Sequence, residues 1–233
     1  MKRVSRAIHK KTQKQDQRKT SIISFSAHND DHTIGAGGTL AKYAKAGKRF
    51  ATYIFSYGEN SHPWLKPIET AHMRYKESLI SEKILGGQDI HYFGTPEGTF
   101  LDEKNFSTLK EKVKTIVQEA QPEKIFTHSI DDPHPDHRAV FKLVIESLKE
   151  IRFTGDVYSF EIWNPINFRK RRNPKMVVDI SDTFATKLRS FKKHKSQKVT
   201  MISLFWKIYL HNFFNGLAHQ CTFSEVFYKV DLT

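Results

Sequence analysis

The sequence predicts an α/β protein whose mostly parallel sheet carries helices on both faces. Short apolar runs rich in β-branched and aromatic residues alternate with longer amphipathic segments from residue 21 onward. Alternation of this kind requires crossover connections, and crossovers make neighbouring strands parallel. Two clusters of histidine and aspartate, 28–32 and 134–137, each follow such an apolar run. Reactive groups collect there, beyond the carboxyl ends of parallel strands.

Taken in order, SIISFSA (21–27) is a short apolar run that ends in small residues and opens the series. TLAKYAKAG (39–47) has helical spacing and a terminal glycine, and RFATYIFS (49–56) is β-branched and aromatic. A long amphipathic helix is predicted over 68–86, a strand at DIHYFG (89–94), a helix over 106–120 and a strand at KIFTHS (124–129). A helix over 137–150, strands at DVYSFEIW (156–163) and MVVDIS (176–181), and a helix from 182 to about 196 complete a Rossmann-like pattern. The segment 164–175, with two prolines and a charge run, reads as an exposed loop. SLFWKIYLHNFFNGLA (203–218) is aromatic with helical spacing, a stripe expected to pack on the domain or on another subunit, with a membrane-surface helix beside the basic segments as the alternative.

At 233 residues and 38% hydrophobic content the chain builds one sizeable core, so 21–233 is expected to be a single domain. Residues 1–20 hold eight Lys or Arg against one Asp and form a basic, flexible leader. They lack the apolar run of a signal peptide. No run of eighteen apolar residues occurs, which excludes a membrane-spanning helix, and the lone Cys221 excludes an intrachain disulfide. Together these features predict a cytoplasmic protein. The net charge of +13 invites a nucleic-acid or anionic-membrane reading, but no nucleic-acid module is present. Peripheral contact with an anionic membrane is therefore the alternative use of the basic segments, and their field also favours an anionic substrate.

Carboxylates and imidazoles crowded at one point repel or pay for desolvation unless something positive sits among them. Catalytic zinc takes three ligands from His, Asp or Glu and leaves one position for water. The first cluster offers His28 and Asp31, in a turn that glycine keeps open; the second offers His134, Asp136 and His137. Asp30 and Asp31, as neighbours, point apart, so one binds metal while the other faces the water. A metal lowers the pKa of that water to about 7, and an adjacent carboxylate takes its proton. The oxyanion formed on attack at a carbonyl needs a further donor, a role open to a protonated His134 held by Asp136.

These residues resemble the LmbE-like, or PIG-L, N-deacetylases. The family's Ala-His-Pro-Asp-Asp-Glu motif appears as AHNDDHTIGAGGTL (27–40) and its His-Pro-Asp-His motif as HPDHRAV (134–140). RYKESLISEKILGG (74–87), YFGTPEGTF (92–100) and KLRSFKKHKSQ (187–197) resemble three further family stretches, in order, and TFSEVFYKV (222–230) does so more weakly. The resemblance implies His28, Asp31 and His137 as ligands of zinc or another divalent transition metal, and Asp30 as general base. It implies His134 as oxyanion stabiliser and acid, Asp136 as its orienting partner, and Arg74 as a contact to the sugar. It further implies removal of acetyl from an N-acetylglucosaminyl small molecule, and a homo-oligomer. Asn29 stands where the family has proline and His32 where it has Glu. An imidazole there changes the local charge, adds a ligand, or faces another neighbour. His32 raises a rival reading, a catalytically silent family member acting as a binding protein; the basic leader raises another, a nucleic-acid or anionic-surface binder. GAGG (35–38) lacks the rest of a nucleotide fingerprint and is read as close backbone packing beside the metal.

Overall fold

The computed structural model describes residues 20–62, 64–87, 89–163 and 174–232. The expected leader, apart from Thr20, and most of the expected 164–175 loop lie outside the described residues. The chain runs β1 (Ile22–Ser26), α1 (Asp31–Lys45), β2 (Phe50–Ile54), α2 (Pro67–Leu85), β3 (Asp89–Tyr92), α3 (Glu103–Ala120) and β4 (Lys124–His128). It continues through α4 (Pro135–Glu150), β5 (Asp156–Phe160), β6 (Lys175–Asp179), α5 (Phe184–Phe191), a 3-10 turn (Lys195–Gln197), α6 (Lys198–Ala218) and β7 (Ser224–Lys229). One seven-stranded sheet has the order β3-β2-β1-β4-β5-β7-β6. The first five strands are parallel; β7 runs antiparallel between β5 and β6.

Strand alternation divides the core into two layers. Ile22, Phe126, Tyr158 and Phe227 face one side, with Leu40 of α1, Leu85 of α2, Phe191 of α5 and Ile208 of α6. Ile23, Phe25, Ile125 and Val157 face the other, with Val113 of α3 and Leu143 of α4. Phe25, Phe126 and Phe227 are fully buried, each worth about 1.5–3 kcal/mol relative to exposure. Register pairs Ile22 with both Phe50 and Lys124, so the ends of β1 and β4 lie side by side. The two His/Asp clusters are thereby brought to one rim.

Two expectations are corrected. The first helix begins at Asp31, not near residue 39, so the glycines lie inside α1 rather than in an open turn. A Cβ at Gly35 would lie 2.3 Å from the Phe160 ring, and one at Gly38 2.7 Å from Ile180. They admit close neighbours at a helix propensity cost of about 1 kcal/mol each. The helix expected over 182–196 is α5 followed by the 3-10 turn, and β7 had no counterpart in the predicted elements.

Candidate active site

His28 follows β1, Asp30 caps α1, and Asp31 is the first residue of that helix. A carboxylate in a helix's first turn is favoured by the dipole. His134 caps α4, and Asp136 and His137 sit in its first turn. Donor atoms of His28, Asp31 and His137 all lie within 4.8 Å of one another. His28 Nδ1 is 3.5 Å from Asp31 Oδ2, and His137 Nε2 is 3.4 Å from Asp31 Oδ1. The backbone N–H of His28 donates to Asp31 Oδ2 at 2.7 Å, which fixes that carboxylate.

The set suits a divalent cation by an observation of its own. His137 is fully buried, and neither of its ring nitrogens makes a hydrogen bond although each faces a carboxylate. Its Nδ1 lies 3.0 Å from Asp132 Oδ1, the arrangement that orients a ligating imidazole. Burial pushes the pKa of His28 down, but hydrogen bonds to Asp136 and Asp31 outweigh it and hold the ring at about 10. Burial likewise opposes charge on Asp31, yet the His137 and His128 rings hold it well below the usual carboxylate range. The cluster attracts positive charge. A second group, His128, Asp132 and His137, is also close-set. There, however, His128 Nε2 accepts the N–H of Ala27, and Asp132 accepts those of His134, Ile162 and Trp163. These two residues serve the ligands from behind.

A cavity of about 110 Å³ opens above the set, lined by His28, Asp31 and His137 together with Asp30, Arg74, Glu97 and His134. Ile162, Trp163, Ile34 and Leu204 wall it. The Asp30 side chain makes no capping bond and instead meets Arg74 Nη2 at 3.4 Å. Arg74, 4% exposed, also donates to the Gly58 carbonyl at 3.1 Å. Gly58 has φ +66°, and a Cβ there would overlap the guanidinium. The expected sugar contact is thus an arginine held by two protein partners, with an edge on the cavity.

The Asp136 carboxylate does not orient His134, contrary to expectation. It lies 3.3 Å from His28 Nε2 and accepts the N–H of Gly98. It is the backbone N–H of Asp136 that donates to His134 Nδ1, at 3.2 Å. Nδ1 is therefore an acceptor, and the proton of the neutral ring is on Nε2. Burial, and then the charges of His137 and His28, lower the pKa of His134. The ring is a neutral donor rather than the protonated one the sequence suggested.

His32, in the position of the family Glu, turns away from the ligand set. Its Nε2 lies 3.0 Å from Glu82 Oε2, and both side chains are buried. Asn29, in the proline position, donates to Tyr92 Oη at 2.8 Å and Ser78 Oγ at 3.4 Å. His194 is bonded to Ser81 Oγ at 2.9 Å, behind α1. Sequence reasoning missed Glu97, 3.5 Å from His28 Nε2, and the supporting pair His128 and Asp132. The last two flank the loop after β4, four residues apart and ahead of HPDH, a spacing that carried the signal.

A mostly parallel sheet with His and Asp donors converging at its carboxyl rim defines an α/β protein with a candidate divalent-cation site at the strand ends. Residues 23–148 match the family PIG-L, GlcNAc-PI de-N-acetylase, and the chain belongs to that family. It is 27% identical to the diacetylchitobiose deacetylase of Thermococcus kodakarensis, over 88% of this chain and 87% of that one. It is 28% identical to the probable N-acetyl-alpha-D-glucosaminyl L-malate deacetylase 2 of Bacillus cereus, over 78% of this chain and 85% of the relative. The solved N,N'-diacetylchitobiose deacetylase of Pyrococcus horikoshii superposes with TM-score 0.76 at 22% identity, covering 97% of this chain and 89% of that one. This last likeness concerns the fold alone.

Proposed function

We propose that this protein is a zinc-dependent hydrolase that removes the acetyl group from the nitrogen of an N-acetylglucosaminyl-type small molecule, giving the free amine and acetate. The observation that carries the reading is the meeting of His28, Asp31 and His137 with Asp30 and His134 around one cavity. His28, Asp31 and His137 are the ligands. When bound in such a set, a divalent cation supplies Lewis acidity, lowering the pKa of water to about 7 and polarising a carbonyl. Asp30, outside the set and lining the cavity, takes the proton of the attacking water. His134 presents its Nε2–H to the oxygen of the scissile acetamide as charge develops there. A neutral imidazole whose Nδ1 already accepts a backbone N–H cannot release that proton, so Asp30 returns its own to the departing nitrogen as the C–N bond breaks. Arg74 positions Asp30, and Asp136 positions His28. His32 turns away from the ligand set toward Glu82, which supports the catalytic reading over a catalytically silent one.

The test is metal analysis combined with acetate release from a panel of N-acetylglucosaminyl compounds. The expected result is one zinc per chain and turnover that is lost on chelation and restored by zinc. A fully zinc-loaded protein that releases no acetate from any of them would overturn the reading.

A further inference from the structure

Helix α6 is two-sided. Leu204, Ile208, Asn212 and Gly216, four residues apart, face the domain. The opposite side leaves Ile202 77%, Phe214 60% and Leu217 58% exposed. Apolar area of this kind marks a contact surface. It continues beyond the helix, because Lys192 Nζ sits 5.8 Å from the centre of the Phe205 ring. With Arg189, Lys193 and Ile84, the same lysine lines an open hollow of about 430 Å³. Ile80, one turn before Ile84 on α2, is 51% exposed. Arg189, Lys192 and Lys193 thus line one hollow with Ile84, and the Phe205 ring lies beside it. The sequence has no Asp or Glu from Thr183 to Ser224, a stretch with seven Lys or Arg.

We propose that this face docks α5 and α6 on the surface of a bilayer rich in anionic phospholipid. The cationic hollow holds lipid phosphate, while Ile80, Ile202 and Phe205 enter the interfacial layer. Among the described residues no helix is long and apolar enough to cross a membrane, so the contact proposed is with the surface of the bilayer. A second copy of the chain fits less well, since a two-fold contact would set one cationic hollow against another. Nucleic acid would use the cations but gains little from exposed isoleucines, whereas a bilayer uses both. Leu204 walls the catalytic cavity from the same helix, so docking brings that cavity beside the membrane.

Cosedimentation of the full chain with vesicles tests this, comparing phosphatidylcholine alone with phosphatidylcholine mixed with phosphatidylserine. Binding should be about tenfold or more tighter to the serine lipid and weaken at high salt. Lys192→Glu with Lys193→Glu should weaken it by about fivefold or more per site. Ile202→Asp, and independently Ile80→Asp on a different helix, should weaken it about tenfold or more. Circular dichroism and the thermal melt of each variant should match the parent, because the altered positions are exposed. Equal binding to both vesicle types, or no binding, overturns the proposal. So does binding that survives Ile202→Asp and Ile80→Asp, which would assign it to the basic segment 1–20. Duplex DNA binding lost in the lysine variant without vesicle binding, or a dimer that Ile202→Asp dissociates without vesicle binding, overturns it equally.

Discussion

Asp30 and Asp31 are adjacent in the chain yet do different work, because one caps a helix and the other begins it. Asp31 is pinned by the His28 backbone and faces two imidazoles, whereas Asp30 leaves the cap unbonded and turns to Arg74. That division could be anticipated from chemistry, since adjacent side chains diverge. The partners of Asp136 could not, because the spacing HPDH does not say which imidazole a carboxylate will reach across the rim. His32 was ambiguous for the same reason, as its partner Glu82 lies fifty residues away on α2. In Asp30→Asn, kcat for acetate release should fall about 10²–10⁴-fold, the usual worth of a general base. Metal content should stay that of the parent, because Asp30 is no ligand. Atomic absorption together with initial rates checks both, and loss of metal in this variant would move Asp30 into the ligand set. His134→Ala should lower kcat by about 10²–10³-fold, as removal of an oxyanion donor does, with a smaller change in KM.

At the scale of elements, α1 is where sequence and structure part. Three glycines in four positions read as a turn, since each disfavours helix, and the outcome was set by what packs on them. Phe160 lies on Gly35 and Ile180 on Gly38. The carboxylate of Glu225, from β7, accepts the N–H groups of Gly38 and Thr39 at 3.0 and 2.8 Å. Lys187 Nζ completes that carboxylate at 2.6 Å, with both side chains buried. This tie explains why the late stretch TFSEVFYKV belongs to the fold, although only its weak family likeness was legible. The first four parallel strands were legible because each is a short apolar run followed by a helical period, and β5 because it is another such run after a helix; β7 follows an aromatic helix and pairs antiparallel. Removing one member of a buried ion pair leaves the other uncompensated, at a cost of about 3–5 kcal/mol. Lys187→Met should therefore destabilise the protein by that amount in urea denaturation followed by circular dichroism. Lys187→Met combined with Glu225→Gln should recover part of the loss. A double-variant loss equal to the sum of the two single-variant losses would show that the pair contributes no coupling. Gly38→Ala should cost about 1–3 kcal/mol through overpacking on Ile180, more than the gain in helix propensity returns.

For the whole molecule, stability should depend on pH through histidines buried in neutral form well inside the α1 layer. His194, 1% exposed, ties Ser81 of α2 to the segment after α5. Burial pushes its pKa from 6.5 down to about 4. In the unfolded chain the same ring binds a proton below about 6.5. Between pH 6.5 and 4 the unfolded state thus holds a proton that the folded state lacks, and stability rises with pH across that window. His194 contributes fully above about pH 6.5, and its contribution is lost as pH falls toward 4, by up to about tenfold in the folding equilibrium per pH unit. His128, lowered to about 4 by burial and then by the charge of His137, acts in the same direction. The measurement is urea unfolding at pH 5 and pH 7 in excess chelator, so that release of metal on acidification adds nothing to the difference. His194→Gln should lower stability at pH 7 through the altered bond to Ser81, and it should also reduce the pH 5 to pH 7 difference by about one proton's worth. A loss of stability with an unchanged pH difference would mean that the ring at 194 binds its proton in the folded protein as it does in the unfolded one, and that the polar layer behind α1 carries a charge at pH 5.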